Sequence, residues 1–374
     1  TPYSVARDET MQEQLQVPLH GFHDALIMPP GSVMTNKGDP YTVYTPFKKK
    51  WRKQSQQSDL AVNTKLHGEL YQIQHIDAHD LPTLGELGFA EATNLPEADE
   101  VTAQERLDKF LSAPIYGYDE TRNELALHPF DGRGGTSQLS PYFRFGILSP
   151  RQAVSKARNA YKQAPNSDGE ASVVTWVDEL IWREFYMHIM AHFPHVYRGN
   201  FRSEYDNLPW EDNNDALQRW KDGETGYPIV DAAMRQLKAT GWMPNRARMI
   251  VSSFLTKDLL IDWREGEKHF MQCLIDGDPA ANNGGWQWAA GTGTDAQPYF
   301  RIFNPTTQGE RFDPDGKYIR EWIPELADVA GKTVHDPTGM KRPPSGYPRP
   351  IVNHKDARDR TLEVFKQTRE AANT

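Results

Sequence analysis

The feature that most constrains this chain is a series of five segments between residues 101 and 260 in which apolar side chains return every three or four positions. They read VTAQERLDKFLS, SPRQAVSKARNAYKQ, ASVVTWVDELIWREFYMHIMAHF, YPIVDAAMRQLKATG and NRARMIVSSFLTKDLL, with glycine and proline between them. That spacing lines the apolar residues along one side of an α-helix, whereas a half-buried strand requires strict alternation. No succession of alternating strands and no repeat of solenoid length accompanies them. The expected body of the protein, residues 106–374, is therefore mainly α-helical.

The first 51 residues read differently. The apolar run DALIMPP predicts one buried strand, followed by turn-rich sequence and the basic stretch FKKKW. One strand cannot make a sheet, so residues 1–51 read as the C-terminal remnant of a doubly wound, Rossmann-like α/β domain. The chain opens on Thr1 in sequence that resembles the middle of a domain, which predicts that further chain precedes it. Residues 52–105 are polar and carry no sustained period, as expected of a long inter-domain connection that wraps a surface. A length of 374 residues fits two units better than one core.

Hydrophobic residues make up 38% of the chain and charged residues 25%, which excludes a disordered composition. No apolar run is long enough to span a bilayer, and the opening TPYSVARDETMQEQL lacks the basic and apolar regions of a signal peptide. With Cys273 as the single cysteine, no intramolecular disulfide can form, which favours a reducing, cytoplasmic location. On the helical stretch HFMQCLI, Cys273 reads as a small apolar residue rather than a catalytic thiol. The net charge of −9 argues weakly against a nucleic-acid partner, although local clusters outweigh the total.

Four stretches carry groups capable of chemistry. In GRGGTSQLSPYFRFG, glycines run into Thr136 and Ser137 near a helix start, which suits either a helix cap or an anion cradle. It is neither a dinucleotide fingerprint nor a P-loop. In WVDELIWREFYMHIM, Glu179, Trp182 and Arg183 share a helix face, as a salt-bridged stripe or as the lining of a pocket. His188 and His192 have zinc-ligand spacing, but no third ligand is evident, and no metal is expected. In GWMPNRARMIVSSF, Pro244 suits a first turn, and Asn245, Arg248 and Met249 lie to one side with Arg246 pointing elsewhere. In LIDGDPAANNGGWQW, a calcium-loop reading of Asp276 and Asp278 fails at Pro279 and at Gln287, and Arg248 is a candidate partner for the aspartates.

Taken together, these stretches closely resemble the photolyase/cryptochrome family. The similarity is dense from Tyr118 to Leu326, and DLLIDWREGE with LIDGDPAANNGGWQWAAGTGTDAQPYFRIFNPTTQGERFDPDGKYIREW is highly specific. The family fold implied is an α/β antenna domain, a long linker and a helical domain that binds FAD. The resemblance implies that Tyr118, Thr136, Ser137, Gln138, Leu139 and Ser140 hold the cofactor's phosphates and ribose. It implies further that Trp176, Glu179 and Arg183 line the flavin pocket, that Asn245 and Arg248 flank it, that Asp276 and Asp278 face it, and that Asn282 lies beside flavin N5. An antenna chromophore, methenyltetrahydrofolate or a deazaflavin, belongs to the full-length family fold.

Within the family, the residue types match a cyclobutane pyrimidine dimer photolyase. The resemblance implies that Trp182 and Trp288 form a flat wall for a flipped-out dimer, with Glu179, Asn245 and Met249 completing the cavity. A (6-4) photolyase would show histidines near NRARM, and none occurs there. The reaction implied is splitting of the dimer by an electron lent from photoexcited FADH⁻ and then returned. Glu179 would donate a hydrogen bond to a base carbonyl, which requires a carboxyl raised by burial. Trp286, Trp263 and Trp210 match the family's electron-carrying tryptophan chain, and three ordinary core tryptophans are the plainer reading. Arg246, Arg301 and Arg311 are expected to meet the phosphates of UV-damaged DNA, double- or single-stranded. A monomer without membrane association is expected. The competing class is a cryptochrome, a blue-light signalling flavoprotein without repair activity. On a helix, residues two apart point about 200° apart, so Trp286 and Trp288 can serve opposite sides, while bare NNGG lets the flavin lie against backbone.

Overall fold

All five periodic segments are helical in the computed structural model, which describes residues 1–21, 23–56, 60, 80–89, 95–126, 135–340 and 344–372. Their ends follow from local chemistry. Asp99 caps the Glu100–Ser112 helix by accepting from the Thr102 N–H at 2.8 Å, and Asn166 caps Ser167–His192 through the Gly169 N–H at 2.9 Å. Pro228–Thr240 starts on its proline and stops at Gly241, whose φ of 67° is the left-handed conformation that glycine adopts freely. Pro244, extended at ψ 147°, precedes the Asn245–Ser253 helix rather than occupying its first turn. That helix runs on into a wider π-turn over Phe254–Asp258.

Among the described residues two large apolar cores result, beside a small cluster of Tyr205, Leu208, Leu260 and Phe365. The first surrounds the 26-residue Ser167–His192 helix and includes Phe47, Trp51, Leu107, Tyr142, Trp176 and Phe185. The second gathers around Pro228–Thr240 and Asn245–Ser253 and includes Trp220, Trp263, Phe270 and Trp286. The Pro279–Ala290 helix, which carries NNGGWQW, joins them. Ala280 at its start lies in the first core, and Trp286 and Ala290 lie in the second. The His354–Ala372 helix closes over the π-turn. His354 Nδ1 pairs with Asp258 at 2.5 Å, and Thr361 donates to the Lys257 carbonyl at 2.6 Å.

The strand expected at DALIMPP is not formed. Among the described residues the one β feature is an isolated bridge between Met34 and Pro40. Leu26, Ile27 and Met28 are buried as expected, but no neighbouring strand satisfies their backbone. Instead the Ile27 and Met28 N–H groups donate to the Glu184 carboxylate, and the Met28 carbonyl meets His188 Nε2 at 2.8 Å. An apolar run between turns looks the same in sequence whether a strand or a side chain completes its hydrogen bonds. His188, one of the two histidines at zinc spacing, thus holds backbone.

The rest of the N-terminal region is more helical than the turn-rich reading allowed. Pro2–Gln14 is a helix with no buried residue, and Tyr44–Ser55 is a helix that buries Phe47 and Trp51 against Ser167–His192. Lys48 and Arg52 both pair with Asp178 on that long helix. Of the expected connection 52–105, residues 57–59, 61–79 and 90–94 lie outside the described set. So do residues 127–134, which include the first glycines of GRGGTSQLS.

Candidate functional site

A cavity of about 550 Å³ opens between the two cores, within the size range of cofactor and ligand sites. Most of the site residues read from sequence line it. Tyr118, Thr136, Ser137, Gln138, Leu139 and Ser140 form one side, and Trp176, Glu179, Trp182 and Arg183 project from the Ser167–His192 helix. Asn245, Arg246, Arg248 and Met249 come from the Asn245–Ser253 helix, and Asp276, Asp278, Asn282, Trp286 and Trp288 complete the wall. Trp263, Trp210, Arg301 and Arg311 do not line it.

The helix spacing explains the grouping. Trp176, Glu179 and Arg183 are three and four residues apart, hence stacked on one face. Thr136 and Ser137 do not start a helix, because Ser140–Arg144 begins after Leu139. They lie in an irregular turn where Gln138 has a φ of 53°, rare for a side-chain-bearing residue and frequent where a chain bends around a ligand. Arg106 donates to the Gln138 side chain at 3.1 Å, and Trp176 Nε1 donates to Ser137 Oγ at 3.2 Å.

The charges are organised in pairs and clusters. Among the described residues five arginines and three carboxylates line the cavity, an excess of cationic side chains although the chain is acidic. Asp276, buried, accepts from Arg248 at 2.8 and 3.0 Å and from Ser140 Oγ at 2.6 Å. Asp278 caps the Pro279–Ala290 helix through the N–H groups of Ala280 and Ala281. Arg183 donates to the carbonyls of Ala25 and Phe143, pinning two distant segments beside the cavity. Burial pushes the Glu179 carboxyl up from its ordinary value, against the opposing pull of Arg122, which pairs with it at 2.7 Å.

Arg122 is a site residue the sequence reading missed. It follows Tyr118 by four positions and lies over its ring at 5.4 Å, so the helical spacing offered a signal. Tyr186 and Arg144 were missed as well. Tyr186 lies one turn after Trp182, and Arg144 donates to the Gly277 carbonyl at 2.6 Å.

Of the three arginines expected at DNA, Arg246 lies at the cavity, held by Asn123 Oδ1 at 3.0 Å and stacked 4.2 Å over the Phe312 ring. It therefore lines the cavity instead of pointing away from it. Arg301 and Arg311 are exposed. Burial lowers the Arg246 pKa, and Arg122, Arg311 and Arg301 lower it further, so the four cations share one neighbourhood.

The three tryptophans of the expected electron chain share the second core, where Trp210 packs half-buried against it. Trp286 lies over Gly266, three residues after Trp263 on the same helix, and packs against Phe270 at 5.0 Å. Trp263 is fully buried and donates to Asn200 at 2.9 Å. Trp286 is buried and Trp288 half-buried, and both line the cavity. Asn282 lines the cavity and donates to the Glu267 carbonyl at 3.0 Å. Cys273 is half-buried, with its thiol pushed up by burial.

Residues 176–367 match the FAD binding domain of DNA photolyase, and residues 1–65 match the DNA photolyase domain. The chain belongs to the DNA photolyase family. It is 45% identical to the deoxyribodipyrimidine photo-lyase of Escherichia coli over 97% of this chain and 76% of that protein. It is 44% identical to that of Halobacterium salinarum over 93% of this chain and 72% of the relative. Among solved structures, a class III photolyase from Agrobacterium tumefaciens superposes with a TM-score of 0.83 at 35% identity, covering 99% of this chain and 78% of that one. A Synechocystis cryptochrome superposes with a TM-score of 0.80 at 28% identity, over 95% and 74% of the two chains. The fold is therefore shared with a photolyase and with a cryptochrome, while the curated relatives at 44–45% identity are both deoxyribodipyrimidine photo-lyases.

The cavity fits FAD on its own chemistry. Its arginines and hydroxyls suit a diphosphate, and Trp176, Trp242, Met243 and Phe270 supply apolar surface for a planar ring. Among the described residues no helix is long and apolar enough to cross a membrane.

Proposed function

We propose that this chain is a deoxyribodipyrimidine photo-lyase that splits cyclobutane pyrimidine dimers in UV-damaged DNA, working as a monomer in the cytoplasm with access to the chromosome. One observation carries the reading. A single cavity is lined both by an arginine and hydroxyl set suited to a dinucleotide and by flat and hydrogen-bonding side chains suited to flipped-out bases. The matches at 1–65 and 176–367 support reading residues 1–51 as the end of an antenna domain, 52–105 as linker and 106–374 as the flavin-binding unit.

In this reading Tyr118, Thr136, Ser137, Gln138, Leu139 and Ser140 hold the phosphates and ribose of FAD. Trp176, Arg183, Asn245, Arg248, Asp276, Asp278 and Asn282 surround the rest. Bound as FADH⁻, the cofactor supplies a light-driven electron that is lent to the dimer and taken back. The protein's own part is to bind, orient and exclude water. Trp182 and Trp288 offer flat surface, and Asn245 and Met249 fill the space at the mouth. Glu179 hydrogen-bonds a base carbonyl, and the upward push of burial favours the protonated form able to donate. Arg122 beside it adds a second donor. Arg246, Arg301 and Arg311 engage phosphates, and Trp286, Trp263 and Trp210 carry electrons between surface and cofactor.

The deciding experiment is illumination of the reduced holoprotein with an oligonucleotide carrying a cyclobutane dimer. Light-dependent loss of dimers is expected. Bound flavin without such loss would overturn the repair reading in favour of a signalling cryptochrome.

A further inference from the structure

Trp182 does not face the cavity unsupported. The ring of Tyr44 lies flat against it, with centroids 3.5 Å apart and planes inclined by 9°. The two residues are 138 positions apart in sequence, and Tyr44 begins the N-terminal Tyr44–Ser55 helix. No other ring pair in the described residues approaches so closely in parallel. One face of the indole is thereby covered by protein, and what Trp182 offers the cavity is set by where Tyr44 holds it.

Tyr44 is itself fixed from three directions. Its hydroxyl donates to the Asp178 carbonyl at 2.9 Å, one turn before Trp182 on the same helix. Its backbone N–H donates to Asp295 Oδ2 at 3.0 Å. Two residues earlier, the Thr42 carbonyl accepts from Thr294 Oγ1 at 2.6 Å. Asp295 has a φ of 44°, a left-handed backbone that aspartate tolerates better than most residues, and this turns its carboxylate toward the Tyr44 amide. The stack is thus tied at one end to the helix bearing Trp182 and at the other to the loop after the Pro279–Ala290 helix, which bears Trp288. The Tyr44 ring is buried behind Trp182 and is not among the residues that line the cavity.

We propose that Tyr44 is the positioning residue for Trp182, an N-terminal side chain that fixes the flat wall against which flipped-out bases stack. The inference rests on the repair reading of Trp182. A base stacks on an aromatic face only if that face is already in place, because ordering a loose indole on binding is lost affinity. Tyr44 therefore acts on recognition of damage and not on the electron transfer that follows.

The test compares the holoprotein with Tyr44→Met and Tyr44→Phe. The methionine variant keeps volume and apolarity but removes the planar face, and the phenylalanine variant keeps the face and removes the Asp178 hydrogen bond. Dissociation constants are measured for one oligonucleotide with and without a cyclobutane dimer. Tyr44→Met is expected to weaken binding of the damaged strand by about three- to tenfold, the range set by an aromatic pair. Binding of the undamaged strand, flavin content and dimers repaired per photon at saturation should stay unchanged, and Tyr44→Phe should restore discrimination. In a Trp182→Leu background, Tyr44→Met should cost nothing further, and an additive loss would overturn positioning through Trp182.

Near-ultraviolet circular dichroism provides a readout independent of repair. Tyr44→Met should change the aromatic signal of the parent by more than that of Trp182→Leu, where only the tyrosine's own contribution and its contact with Phe185 are lost. An unchanged parent signal would overturn the stack itself. A parent that fails to discriminate damaged from undamaged DNA, with the dichroism behaving as expected, would overturn the repair reading and leave the stack standing. Should Tyr44→Met lose flavin, Thr294→Val, which cuts only the Thr42 anchor, is the second variant. It should reduce discrimination in the same direction, and full discrimination there would count against the proposal.

Discussion

Arg248 Nη2 lies 2.8 and 3.0 Å from the two carboxylate oxygens of Asp276, so one guanidinium nitrogen bridges a buried carboxylate at the cavity wall. Ser140 Oγ, at the start of the Ser140–Arg144 helix, donates to the same carboxylate. Asp276→Asn removes the negative charge and leaves Arg248 facing an amide. Breaking one side of such a pair is expected to cost about 2 kcal/mol, less than for a fully enclosed pair because Arg248 is partly exposed. The measurement is chemical denaturation with flavin absorbance as a second probe. Flavin content should fall together with stability, and full retention of both would show the pair to be idle.

The bareness of NNGG has two separate causes. At Gly284 an added Cβ would collide with the ring of Tyr186, so this glycine exists for helix packing. At Gly285 an added Cβ meets nothing within 4 Å, and the residue lines the cavity. Gly285→Leu should therefore leave the fold intact while filling the cavity. The expected outcome is a soluble helical protein that purifies without flavin colour. Gly284→Ala should instead lower the melting temperature, as overpacking of a core does. Normal flavin loading of Gly285→Leu would remove this wall from the binding site.

Much of this was legible beforehand because helix spacing is a local rule. Trp176, Glu179 and Arg183 fall on one face by counting alone, and Asn245, Arg248 and Met249 do the same. What escaped was long-range. Tyr44 reaches Trp182, Arg122 reaches Glu179 and Glu184 reaches Ile27 and Met28 across sequence gaps that no periodicity reports. The misread strand at DALIMPP has the same origin. Its hydrophobicity predicted burial correctly, but the partner for its backbone is a side chain 157 positions away from Ile27.

Trp263 is fully buried, and its indole N–H donates to Asn200 Oδ1. Trp263→Phe keeps an aromatic ring but loses the rest of the indole, so it leaves a small cavity and orphans that acceptor, the latter at about 1–3 kcal/mol. Photoreduction of oxidised flavin should be lost, while repair by chemically reduced protein persists. Transient absorption checks the first and dimer loss the second. Loss of both activities in a stably folded variant would contradict a separate electron path.

Arg246 is held in place by Asn123 and Phe312, with Arg122, Arg301 and Arg311 close enough to depress its pKa. Such a cluster binds phosphate by releasing counterions, so affinity for damaged DNA should fall steeply with salt. Arg246→Ala should weaken damaged and undamaged strands alike and reduce the slope of log affinity against log salt by about 1. An unchanged slope would place the DNA backbone elsewhere.

Glu184 supplies a pH prediction. Burial pushes its carboxyl up to about 7 from an ordinary 4.5, while hydrogen bonds from Trp51, Ile27 and Met28 pull it down. The folded state therefore binds this proton more tightly than the unfolded chain does. Stability falls as pH rises wherever the native state holds more protons, here from about 4.5 to about 7. Above that window both states are ionised and the full desolvation penalty of the buried carboxylate applies. Glu184→Gln cannot ionise, so it should flatten this part of the stability profile, although its amide matches the three donors less well. Thermal melts between pH 5 and 8, spanning the shifted value of about 7, check the slope. Glu184 anchors residues 27–28 and Trp51, so limited proteolysis should also cut the N-terminal segment faster at the alkaline end. A melting profile for Glu184→Gln as steep as that of the parent would assign the slope to another group.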